Sequence, residues 1–282
     1  DGGMPTMPPL APTPAQLAWQ RDGLGVFFHV GVNTFAGREW SDGSLPPEIF
    51  DPSDLDAEEW AALAAELGAR YVVLTAKHHD GFCLWPTSTT GASVSSSPWR
   101  GGDGDLVAEV AAACRRHGLG LGLYLSPWDR HAPEYEDPAA YDALYLAQLR
   151  ELCTDYGELH ELWFDGAGSA GRVYDWEAIG ALLAELQPQA MVFNMGPATI
   201  RWVGNEDGLA SDPCEYVTDS TDLNNYDEDV VGIGEHFHAA LSASKAGMAK
   251  PDVRFFHAAA AAAGVAPDEV LHIGDDARLD AL

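Results

Sequence analysis

The sequence predicts an α/β protein with a parallel sheet, closer to a TIM-type barrel than to an open sheet. Two observations carry this. Short apolar runs alternate with helix-length segments five times between residues 24 and 194, the pattern of successive right-handed βαβ units. The runs also end in polar residues suited to chemistry, and in parallel α/β proteins reacting groups collect at the C-terminal ends of strands. The glycine-rich dinucleotide fingerprint is missing after the first run, which argues against a Rossmann domain.

Residues 1–15 are rich in Pro and Gly and read as a loose lead-in, followed by a short helix over 16–21. Gly25-Val26-Phe27-Phe28-His29 is a buried strand ending in a histidine, with Gly31 and Asn33 just beyond. A helix over 51–68 takes Asp54 or a neighbour as its cap, has acids in its first turn and ends at Gly68. The second strand covers 71–76 and delivers Lys77-His78-His79-Asp80-Gly81-Phe82. A helix over 106–117 ends before Gly118, and a third strand over 119–125 leads to Ser126-Pro127-Trp128-Asp129. The next helix spans about 138–156. The fourth strand, Trp163 to Asp165 within Glu161-Leu162-Trp163-Phe164-Asp165-Gly166, brings an acid to the rim, where the glycine lets the chain turn away. Taken alone, Asp165 could equally be a surface acid opening a loop. A helix over 176–186 and a fifth strand over 190–194 complete the series.

Composition narrows the partners. A chain of 282 residues with 46% hydrophobic and 21% charged residues is globular and long enough for one α/β barrel or two smaller domains. A formal charge of −29 repels nucleic acid and anionic membranes, which leaves neutral substrates as the easier partners. No apolar run reaches the roughly eighteen residues a membrane span needs. Cys83, Cys114, Cys153 and Cys214 have no CxxC spacing and lie in or beside apolar segments, so they read as buried thiols. Lysine occurs only at 77, 245 and 250. The sequence opens at Asp1 with neither an initiator Met nor a signal peptide, which suggests a processed product and leaves compartment and oligomeric state open.

The strand ends together offer His29, then Lys77, His78, His79 and Asp80, then Tyr124 and Trp128, then Trp163 and Asp165, with Glu39 and Trp40 from the first loop. Three histidines and an acid could suggest a metal. Among these residues HxH and HExxH spacings are missing, and adjacent residues on a strand point to opposite faces, which argues against His78 and His79 as joint ligands. A neutral polyol suits the set better, because hydroxyls need fixed donors and acceptors and an aromatic plane packs on the apolar face of a pyranose.

Gly25-Val26-Phe27-Phe28-His29, Arg38-Glu39-Trp40, Lys77-His78-His79-Asp80-Gly81-Phe82, Trp163-Phe164-Asp165-Gly166 and Arg201-Trp202-Val203-Gly204-Asn205-Glu206 together resemble the α-L-fucosidases of glycoside hydrolase family 29, over about residues 15–217. The resemblance implies a catalytic (β/α)8-like barrel that hydrolyses terminal α-L-fucose on glycans with retention of configuration and needs no cofactor. It places Asp165 as nucleophile, and His29, Glu39, Trp40, His78, His79 and Trp163 around the fucose. Tyr124 lies in the strand that supplies a sugar-facing tyrosine in that family, and Val30 stands where many members have Trp. Glu206 is the choice for the acid/base, with Asp207, Asp212 and Glu215 as competitors. Glu206 could instead be a loop carboxylate paired with Arg201.

After about Tyr216 the three further βα units of a full barrel are not found. Residues 218–229 are polar and acid-rich and read as a junction. Residues 230–282, with Lys250-Pro251-Asp252 and Val270-Leu271-His272-Ile273-Gly274-Asp275-Asp276, resemble the later motifs of haloacid-dehalogenase-type phosphatases. That resemblance makes Lys250 the motif lysine and Asp275 and Asp276 the acids near Mg²⁺. The early Asp-x-Asp motif followed by Gly-Thr or a similar pair is not found at a strand end in residues 1–235. The chain therefore reads as chimeric: a barrel portion over 1–217, a junction, and a Rossmann-like fragment whose runs at 237–243 and 270–273 are expected to extend the parallel sheet. Three functions follow: a retaining fucosidase, a Mg²⁺-dependent phosphatase, or an inactive carbohydrate-binding remnant.

Overall fold

The computed structural model describes residues 11–204 and residue 217. The chain divides into two compact units, Asp1–Arg201 and Trp202–Leu282, and the described secondary structure lies in the first. Among the described residues no helix is long and apolar enough to cross a membrane. The runs at 237–243 and 270–273, with Lys250, Asp275 and Asp276, lie outside the described residues.

Helix α1 (Pro14–Asp22) starts earlier than the sequence suggested. Thr13 and Gln16 form a reciprocal capping box and Pro14 takes the first helical position, so the start is set by the cap within the supposed lead-in. Strand β1 (Gly25–Phe28) is followed by a five-residue helix α2 (Val32–Ala36) with no sequence counterpart. Helix α3 (Ala57–Leu67) is capped by Asp56, which accepts from the Glu58 and Glu59 amides, and ends at Gly68 in the left-handed conformation. Strand β2 (Tyr71–Lys77), helix α4 (Leu106–His117), strand β3 (Gly120–Leu125), helix α5 (Pro138–Asp155), strand β4 (Glu161–Trp163), helix α6 (Trp176–Leu186) and strand β5 (Met191–Phe193) complete the order.

The five strands pair in sequence order, β1-β2-β3-β4-β5, and every pairing is parallel. An unreversed order is that of a barrel wall, since a doubly wound open sheet changes direction partway. The pleat sorts the side chains. Val72, Leu74, Ala76, Leu121, Leu123, Leu125, Leu162 and Val192 join the core with Ala57, Ala61, Ala64, Val107, Val110, Cys114, Leu149 and Leu183 from the helices. The other face carries Phe27, Tyr124, Trp163 and Phe193. There Trp163 stacks on Phe193 at 3.9 Å between ring centroids, and Phe27 meets Trp163 edge-on at 5.2 Å. Phe27 remains 42% exposed although it sits inside a strand, because β1 and β5 are the free edges of the described sheet. The described unit is thus a five-stranded portion of a barrel wall.

Cys83, Cys114 and Cys153 are free and buried, as expected; Cys214 lies outside the described residues.

At the N-terminal end of the sheet, buried Glu161 accepts a 2.8 Å hydrogen bond from the Trp19 indole of α1. Burial pushes its carboxyl up to about 7, with the indole bond opposing. The native state therefore holds a proton that the unfolded chain releases near 4.5. Stability from this site is full below that value and is lost as pH rises toward 7, by on the order of a few kcal/mol. Glu161→Gln keeps an acceptor for Trp19 and removes the titration. Its urea midpoint, compared with wild type at pH 5 and pH 8, is expected to gain at the higher pH; an equal difference at both would refute the linkage.

Candidate active site

Asp165 lies two residues beyond β4 and is 19% exposed. Its Oδ1 accepts from the Ala167 amide at 2.8 Å, so the turn that follows Asp165 holds its carboxylate. Its Oδ2 accepts from the Tyr124 hydroxyl at 3.0 Å and lies 3.8 Å from His79 Nε2. Burial, then the Asp165 charge, hold the Tyr124 phenol well above its usual range, so it stays a donor.

His78 and His79 do not point to opposite faces. Their rings lie 4.0 Å apart, and both approach Tyr124. The reason is that β2 ends at Lys77: His78 and His79 lie past the strand, His79 already in a turn, where the alternation of a strand no longer holds. Among the described residues no group of three or more His, Cys, Asp and Glu side chains is placed to hold a metal ion. His29 packs edge-on to His78 at 4.7 Å, and its Nδ1 lies 3.1 Å from Thr75 Oγ1. Burial, then the neighbouring His79 and His29, push the His78 imidazole down to about 2. Burial pushes His79 down to about 4, with the Asp165 carboxylate opposing. Both rings are therefore neutral at pH 7.

Trp40, 46% exposed, stands over this cluster, 5.2 Å from the His79 ring and 5.6 Å from Trp128. Glu39 beside it is exposed. Their loop is tied down by Asn33, which donates to the Glu39 carbonyl at 3.4 Å and to buried Asp80 at 2.9 Å. Gly168, with φ of 68°, packs its backbone on the Trp128 indole, where a Cβ would overlap the ring; only glycine lets the loop after Asp165 approach so closely.

Lys77, grouped with the rim residues by sequence, is fully buried on the helix side. It donates to Asp129 Oδ2 at 2.8 Å and to Gln148 Oε1 at 2.9 Å. Asp80 is also buried, accepting from Asn33 and from the Phe82 amide. Both support the rim without lining it. Glu206, Asp207, Asp212 and Glu215 lie outside the described residues. Sequence reasoning gave no role to Ser126 or Thr75, which bond to His79 and His29. The only signal was that Ser126 is the first polar residue after an apolar run.

One rim of a parallel α/β wall thus gathers a carboxylate, neutral imidazoles, a phenol and two indoles, the complement of a neutral polyhydroxylated ring. The α-L-fucosidase family model matches residues 45–205, and the chain belongs to that family, glycoside hydrolase family 29. A haloacid dehalogenase-like hydrolase model matches residues 214–282. Alpha-L-fucosidase 1 of Arabidopsis thaliana is 47% identical over 211 residues, covering 73% of this chain and 42% of its own. A crystal structure of a glycoside hydrolase 29 family member from an unknown rumen bacterium superimposes with a TM-score of 0.67 at 43% identity, over 71% of this chain and 39% of that one. A Ruminococcus gnavus GH29 fucosidase in complex with fucose gives 0.65 at 32% identity, over 75% and 49%. The chain spans about two fifths of the length of the curated relatives it matches, 42% in each of two plant proteins.

Proposed function

We propose that the chain carries the fucose-binding wall of a retaining α-L-fucosidase, with Asp165 as nucleophile and Glu206 as acid/base. The observation that carries this is the Asp165 carboxylate, held by the Tyr124 hydroxyl and the Ala167 amide on the same rim as His29, His78 and His79. The ligand is a terminal α-L-fucosyl group on a glycan, in line with the fucose-bound relative. His29, His78, His79, Glu39 and Trp40 bind its hydroxyls, and Trp163, stacked on Phe193, meets its apolar side with the ring edge. In the first step an Asp165 oxygen attacks the anomeric carbon while the acid/base protonates the departing glycosidic oxygen. In the second, the acid/base takes a proton from water, which attacks the same carbon and releases Asp165. Tyr124 keeps its proton throughout, orients Asp165 and stabilises the carboxylate as it leaves.

The match at residues 214–282 supports a second reading, a Mg²⁺-dependent phosphatase. A pair of assays on the full chain, an aryl α-L-fucoside and an aryl phosphate with and without chelator, separates the two. Fucoside turnover insensitive to chelator is the expected result. Phosphate release is expected to be undetectable, because an Asp-x-Asp motif followed by Gly-Thr or a similar pair is not found at a strand end in residues 1–235. Chelator-sensitive phosphate release that disappears in Asp275→Asn would favour the phosphatase instead.

A further inference from the structure

The deepest polar contact of the site is the one from His79 away from the ligand. His79 Nδ1 lies 2.6 Å from the Oγ of Ser126, and that Oγ lies 2.6 Å from the backbone carbonyl oxygen of Trp128. A serine hydroxyl has one hydrogen. The Trp128 carbonyl can only accept, and two bare oxygens 2.6 Å apart would repel, so the Ser126 hydrogen is committed to Trp128. Toward His79 the Oγ can then only accept, which requires the hydrogen on Nδ1. Ser126 is fully buried, so no solvent offers another arrangement.

We infer that Ser126 is a positioning residue: it fixes His79 as the Nδ1–H tautomer, so that Nε2 presents a bare lone pair beside Asp165 and takes a hydrogen bond from a ligand hydroxyl. Nε2 and Asp165 Oδ2 are 3.8 Å apart, two acceptors facing one gap. A group that donates a hydrogen into that gap is favoured there, and one that offers only acceptors is not. The ligand class is therefore a hydroxyl donor. That it is a hydroxyl of the fucosyl ring rests on the reading under Proposed function. The neutral state that this needs is maintained by burial, with His29, Arg130 and Lys77 also disfavouring a charge on His79 and Asp165 alone opposing them. Trp40 and Trp128 wall the ring at 5.2 and 5.1 Å, and His78 packs against it.

Long-range ¹H–¹⁵N spectra of the full chain with ¹⁵N-labelled histidine read the tautomer directly at pH 7. His79 is expected to show a protonated Nδ1 and an unprotonated Nε2, and Ser126→Ala is expected to mix the two tautomers. A wild-type His79 protonated at Nε2 overturns the inference, with no need for the variant to fold. So does a Ser126→Ala spectrum identical to wild type. Added L-fucose is expected to shift Nε2 while Nδ1 stays protonated, and to bind about tenfold more weakly to Ser126→Ala, the loss of one oriented hydrogen bond. If the tautomer is as stated and L-fucose moves no His79 resonance, the fucosidase reading fails and the Ser126 assignment stands.

Discussion

Replacing Asp165 with alanine is expected to lower hydrolysis of an aryl α-L-fucoside by on the order of 10³-fold or more, the scale seen when a covalent nucleophile is removed. Tyr124 and the imidazoles remain in place, but on the proposed mechanism nothing then attacks the anomeric carbon at close range. The side chain that is lost leaves a small space lined by the Tyr124 hydroxyl and the Ala167 amide. Azide fits such a space. It is expected to restore part of the turnover by attacking the anomeric carbon, expelling the aryl oxide and giving a fucosyl azide of inverted configuration. Asp165→Asn, which keeps the volume and an acceptor for Tyr124, separates loss of chemistry from loss of fold, because it should unfold as the wild type does and yet be as slow as the alanine variant without azide. Undiminished turnover in both variants would remove Asp165 from the mechanism.

The sheet and the acid were legible because local rules decide them. Helices α4 and α6 run from 106 to 117 and from 176 to 186, as the sequence indicated. Asp105 and Asp175 cap their first turns, and Gly118 terminates α4. Asp165 was legible only with its neighbours: an apolar run, an acid and a glycine could equally open a surface loop, and the other strands that end in polar residues point to a shared rim. The relation of His78 to His79 was not legible. The alternation rule assumes that both histidines lie in the strand, and β2 ends at Lys77 with no glycine or proline before them to announce the end. The partners of Lys77 were hidden for a different reason. Asp129 and Gln148 are 52 and 71 residues away, and nothing local pairs a strand-end lysine with a loop acid and a helical glutamine. Ser126 belongs to the same class, since its role depends on a histidine from the neighbouring strand's loop, 47 residues earlier.

That buried lysine supports the last expected result. Lys77→Met is expected to destabilise the protein by about 3–5 kcal/mol, the scale found when one partner of a buried ion pair is removed. Methionine keeps most of the apolar stem and its packing beside the Tyr141 and Tyr145 rings, so the loss reports the charge and not a cavity. Burial by itself would raise the Asp129 carboxyl; the Lys77 ammonium reverses this and holds it below its usual value. Without the ammonium, Asp129 keeps only the His131 and Ala132 amides on Oδ1, and Oδ2 faces the interior unpaired. Gln148 loses its partner on Oε1 as well. The loop that Asp129 organises carries Ser126 and Trp128, so fucose binding is expected to weaken along with stability. Adding Asp129→Asn to Lys77→Met removes the orphaned charge and is expected to recover a large part of the loss, a coupling that a double-mutant cycle on urea unfolding measures. A single-mutant loss below about 1 kcal/mol, the range of exposed pairs, would show that the 2.8 Å contact does not hold this loop.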